Sequence, residues 1–104
     1  MTFREFMQEN GYDLITTFWE DFSIADNFGA SGVEYTYKRV FNEWKNNYKF
    51  FTELVLVLNH KIWQHYESNC ELAALYDKLW REAEEYAIKS FKEEELAYYY
   101  RIID

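Results

Sequence analysis

Apolar residues recur at spacings of three and four along most of the chain, the period of helices that bury one face. Phe3, Phe6 and Met7 mark a short helix over residues 2–10, closed by Gly11. Leu14, Phe18, Phe22 and Ala25 place a second between residues 13 and 28, with Gly29 as its stop. Val33, Tyr37, Val40, Phe41 and Trp44 predict a third over 32–46, broken at Asn46-Asn47. Residues 48–67 carry Phe51, Leu54, Val55, Leu58, Ile62 and Tyr66 on one face and Leu56 and Trp63 on a flank. A helix apolar around most of its girth belongs at the centre. Leu72, Leu75, Tyr76, Leu79, Ala83, Tyr86 and Ala87 continue the pattern over 69–90, and a last short helix follows over 92–102.

Capping chemistry sharpens these starts. In the pattern Ser/Thr-x-x-Glu, the hydroxyl accepts from a backbone N–H three residues on, and the glutamate reaches back to the cap. The pattern occurs at Thr2/Glu5, Thr17/Glu20, Ser31/Glu34, Ser68/Glu71 and Ser90/Glu93, the second of them compatible with a position inside a longer helix. The run from Leu54 to Leu58 could also be read as a buried strand, but its flanks keep helical spacing and no partner strand is evident. The chain has no proline and three glycines, which leaves few sites for tight hairpins. The expectation is an all-α fold, a compact bundle of five or six helices around a central hydrophobic one, forming a single domain over residues 1–104.

Composition adds two features. Aromatic residues make up 22 % of the chain, more bulky apolar surface than one small core is expected to absorb. The net charge of −8 is uneven, at −6 over residues 1–34, +3 over 35–66 and −5 over 67–104. That balance argues against binding nucleic acid or an anionic membrane directly. One cysteine, Cys70, cannot form an internal disulfide, and no basic-then-apolar leader or spanning apolar run is present, so a cytoplasmic setting is expected.

The search for reactive chemistry returns little. His60 and His65 are five residues apart, which is not the i,i+4 zinc pair; His60 falls on a polar face with Glu53 and Gln64, and His65 reads as a satisfied core histidine. No pair of Glu-x-x-His motifs suggests a di-iron bundle, and no nucleophile or phosphate-binding loop accompanies the adjacent acids. No metal, cofactor or enzymatic activity is expected. Lys38, Arg39, Lys45 and Lys49, interleaved with Tyr35, Tyr37, Trp44 and Tyr48, form the one stretch readable as a nucleic-acid patch, but its acidic flanks would repel phosphate.

The acidic groups invite the opposite reading, a surface that imitates nucleic acid. Glu20, Asp21 and Asp26 on one helix, and Glu82, Glu84, Glu85, Glu93, Glu94 and Glu95 towards the other end, combine with the surplus aromatics Trp63 and Tyr99 into candidate partner-binding residues. Residues 21–29 (DFSIADNFG), 41–45 (FNEWK) and 52–67 (TELVLVLNHKIWQHYE) resemble small proteins carried by conjugative elements and phages of Gram-positive gut bacteria. The chain departs from that family at Phe91-Lys92-Glu93, where Lys-Gly-Glu is frequent. The resemblance implies a non-enzymatic inhibitor of a host nucleic-acid-handling defence complex, of the anti-CRISPR or antirestriction kind. A homo-oligomeric accessory protein, a homodimer in the simplest case, is the alternative.

Overall fold

The computed structural model describes residues 14–103. Five helices and no strand make up the described residues: α1 (Leu14–Asp26), α2 (Gly29–Trp44), α3 (Tyr48–His65), α4 (Cys70–Ser90) and α5 (Glu93–Ile103). The all-α bundle expected from the apolar spacing is therefore the observed fold. The helix expected over residues 2–10, with its Thr2/Glu5 cap, lies outside the described residues.

The central position of α3 follows from its sequence. Phe51, Leu54, Val55 and Leu58 are completely buried, and the helix packs against each of the other four. Each such side chain contributes on the order of 1.5–3 kcal/mol by leaving water. The alternation in the Leu54 to Leu58 run is thus a helix buried on most sides.

Helix α1 turns into α2 through only Asn27 and Phe28, whose N–H groups donate to Ile24 O and Ala25 O at 3.1 and 2.9 Å. Gly29 follows at φ 74°, a left-handed backbone that a side chain would disfavour. Three residues on, the helices come so close that a Cβ on Gly32 would stand 2.6 Å from Phe28 Cβ and 2.8 Å from the Ala25 carbonyl oxygen. This contact explains why α2 begins at Gly29 and not near Ser31. The reversal sets the first turn, and the Ser31/Glu34 pair is already inside the helix.

Two other predicted caps are displaced. Asn47 and Asn69 start α3 and α4, their Oδ1 atoms accepting from Phe50 N (3.3 Å) and Leu72 N (3.1 Å). Asn69 takes the role expected of Ser68. Ser90 is the last residue of α4, and at α5 Glu95 Oε1 accepts from Lys92 N at 2.9 Å, the glutamate half of a capping box shifted by two residues. Thr17 lies within α1.

Helices α3 and α4 run antiparallel. At one end, Phe51 packs on Tyr86 and Phe91, with ring centroids 5.4 Å apart in both cases, and Phe41 of α2 meets Tyr86 edge-on at 5.0 Å. At the other end, His65 lies parallel to the Tyr76 ring. The aromatic end of this hairpin holds by packing. The opposite end holds by polar contacts.

Candidate functional site

Those polar contacts converge on Asp26, the last residue of α1. Its Oδ2 accepts from Lys61 Nζ at 3.0 Å and lies 2.9 Å from His65 Nε2, both on α3, while its Oδ1 accepts from the Tyr76 hydroxyl of α4 at 2.5 Å. Lys61 also donates to Ser23 Oγ at 2.8 Å and stands 4.2 Å from the centre of the Trp19 ring. The lysine is 0 % exposed and the aspartate side chain 13 %. An ammonium carried this far out of water is stable only when paired and hydrogen-bonded. Here a carboxylate, a hydroxyl and an aromatic face share the task. Burial, then the hydrogen bond to Asp26 and the charge of Asp26, push the Tyr76 phenol well above its ordinary pKa, so it stays a neutral donor.

Local sequence explains the convergence. Ser23 and Asp26 are four residues on from Trp19 and Phe22, so each shares a face with the aromatic before it. Lys61 and His65 are four apart and extend the Leu54, Leu58 stripe by about two more turns, and Tyr76 belongs to the Leu72, Leu79 face. The cluster joins α1, α3 and α4. Because the lysine head is enclosed by protein, a substrate proton has no approach to it, and its chemistry is that of a tie between helices.

Asp26, expected on the outer side of its helix, is therefore turned inward. Tyr99, expected among the surplus aromatics, is also corrected: it is 0 % exposed and its hydroxyl donates to Glu84 Oε1 at 3.3 Å, joining α5 to α4. Glu84 is half-buried by this contact, whereas Glu82 lies near Tyr37 on the flank that faces α2. Residues two apart on a helix point about 200° apart, so Glu84 faces away from Glu82, whereas Glu85, three residues on from Glu82, shares its side of the helix; the three do not form one acidic patch. Other predicted acids have local partners. Asp21 pairs with Arg39 at 3.3 Å, Glu85 pairs with Lys89 at 2.7 Å, and Glu95 caps α5. The Lys89 ammonium lowers the Glu85 pKa. Glu20, Glu93 and Glu94 are exposed.

The basic stretch is likewise dispersed. Arg39 is shared between Asp21 and Glu43, Tyr37 is buried, and Lys49 lies over the Tyr48 and Tyr98 rings. Burial, reinforced by the charge of Glu82, pushes the Tyr37 phenol well above its ordinary value.

Trp63 is exposed as expected, at 66 %, and beside it stands Tyr66 at 61 %, their ring centroids 5.6 Å apart. Tyr66 lines a groove between the end of α3 and the start of α4, together with Ile62, Cys70, Ala73, Ala74 and Asp77, and the Trp63 ring stands beside it against Tyr66. Exposed Glu67 and Glu71 follow the lining residues Tyr66 and Cys70 in sequence, and neither belongs to an ion pair among the described residues. No family model, curated protein or solved structure matches this chain.

A second exposed groove runs between α1 and α2 past Ile24, Phe28 (72 % exposed) and Tyr35. The Asp21–Arg39 ion pair closes the charge at its edge.

Sequence reasoning placed Trp63 outside and His65 in a satisfied setting, but it passed over Lys61, Ser23 and the hydroxyl of Tyr76. The signal was a lysine standing where the apolar stripe of α3 calls for a hydrophobic residue. Tyr66, expected on the apolar stripe of α3, is exposed, because α3 ends at His65 and the chain turns away there.

Among the described residues no group of three or more His, Cys, Asp or Glu is arranged to hold a metal ion. None of the described helices is long and apolar enough to cross a membrane.

Proposed function

We propose that this domain acts by contact, as a protein-binding inhibitor that engages its target through the aromatic, acid-rimmed face around Trp63 and Tyr66. Its target is a host nucleic-acid-handling defence complex, the class implied by the resemblance to proteins of conjugative elements and phages. The observation that carries the reading is the side-by-side exposure of two large aromatic rings, one of them lining an apolar groove, the kind of surface that supplies binding hot spots. The exposed acids at Glu20, Glu93 and Glu94 act at longer range, steering a basic partner by charge. Within this reading the aromatics provide the affinity, in place of a continuous acidic face that imitates a duplex.

The test is affinity capture from a lysate of a Gram-positive host, comparing the wild-type chain with the Trp63→Ser/Tyr66→Ser variant. A specifically retained nuclease or restriction component is expected to be lost from the variant. Equal retention by both proteins would refute the reading.

A second reading has its own support in the α1–α2 groove. Because Asp21 and Arg39 neutralise each other at its edge, two copies could meet there without like-charge repulsion. Homodimerisation through this groove would be abolished by Phe28→Glu. A wild-type chain that sediments as a monomer at high concentration excludes it.

A further inference from the structure

The groove between α3 and α4 carries enough chemistry to specify its occupant. We infer that it takes an amphipathic basic helix of a partner protein, with an apolar stripe in the groove and lysine or arginine side chains against its rim. This inference rests on the proposed contact function and adds the chemistry of the partner.

Three observations support it. The floor is apolar and shallow, made by Ile62, Ala73 and Ala74, with no bulky side chain on the α4 wall. Small residues along one helix allow another helix to approach closely. Next, Glu67 in the turn before α4 and Glu71 in its first turn, each adjacent in sequence to a lining residue (Tyr66 and Cys70), are exposed and outside any ion pair among the described residues, whereas Asp77 is paired with Arg81 at 2.9 Å. The unneutralised charge at this rim is negative. Finally, the tilted Trp63–Tyr66 pair offers aromatic faces on which a cation can rest. The same charges disfavour other occupants. A second copy related by a two-fold axis would set acidic rim against acidic rim, and an anionic bilayer or nucleic acid would be repelled.

Cys70 gives a local readout, since its thiol lines the groove, is exposed and is the only one in the chain. The experiment measures its reaction rate with Ellman's reagent, together with calorimetric binding, while an amphipathic lysine–leucine helical peptide is added. Controls are a glutamate–leucine peptide of the same pattern and a lysine–serine peptide without the apolar stripe. The lysine–leucine peptide is expected to protect Cys70, and Trp63→Ser or Glu67→Gln/Glu71→Gln to weaken its binding by at least about tenfold. Glu93→Gln/Glu94→Gln removes the same charge roughly 30 Å away, across the length of α4, and is expected to leave binding nearly unchanged.

Equal weakening by both charge variants would reduce the effect to net charge and overturn the inference. So would protection by the glutamate–leucine peptide, or no protection by any peptide. If lysate capture still depends on Trp63 and Tyr66 in any of these cases, the contact function survives and only the partner chemistry falls. If capture does not depend on them, the contact function falls as well.

Discussion

Replacing Asp26 by alanine removes the acceptor shared by Lys61, His65 and Tyr76 and leaves a fully enclosed ammonium with only Ser23 Oγ and the Trp19 ring. Stranding one member of a buried ion pair costs about 3–5 kcal/mol. For a domain of this size, that lowers the melting temperature by roughly 12–40 °C. Lys61→Met should behave differently: it removes the buried charge, keeps much of the side-chain volume, and leaves Asp26 with Tyr76 and His65 at hydrogen-bond distance. Its cost should be about 1–3 kcal/mol. The double variant Asp26→Ala/Lys61→Met should then be more stable than Asp26→Ala alone, because the second change relieves the stranded charge. Urea denaturation followed by circular dichroism gives all three values from the transition midpoints. The reasoning fails if Asp26→Ala costs less than about 1 kcal/mol, or if the two single changes simply add.

Two further outcomes follow from the caps and the buried phenols. Asn69→Ala should destabilise the protein by about 1 kcal/mol while Ser68→Ala changes stability by less than about half that, and the reverse order in urea midpoints would restore the Ser68/Glu71 box. Tyr37 and Tyr76 hold their protons in the folded state above the pH at which the unfolded chain loses them, so their contribution is complete below about pH 10 and declines above it by about 1.4 kcal/mol per pH unit for each group. Tyr76→Phe should flatten the alkaline limb of the stability profile by that amount, and an unaltered slope would count against the buried donor.

Helix periodicity was legible because each core face repeats for several turns: Phe18, Phe22 and Ala25 on α1, or Leu54 and Leu58 on α3, are buried as their spacing requires. Helix starts were less legible. At Gly29 the decisive fact is the close approach of two helices, a tertiary contact that no local motif encodes, and at Asn69 two adjacent residues could both cap. The candidate site divided in the same way. Trp63 could be placed outside because it lies off the stripe of its own helix, but Asp26 and Tyr99 could be placed only with knowledge of what faces them from α3 and α4. Reading acids as surface and tyrosines as spare is sound one helix at a time; across helices, a buried lysine changes the sign of the argument.

The enclosed lysine has a consequence for register. The apolar stripe of α3 repeats almost unchanged from turn to turn through Leu54, Leu58 and Ile62, so shape and hydrophobicity alone would tolerate sliding the helix along its neighbours by one turn. Such a slide would move Lys61 out of reach of Asp26 and Ser23 and bring Val57 or His65 into its place, with no second lysine to restore the contacts, since the other lysine of α3, Lys49, is at its far end. One polar clasp at the His65 end thus selects a single alignment from several that oil would accept, and it fixes the position of the Trp63 and Tyr66 rings relative to α4.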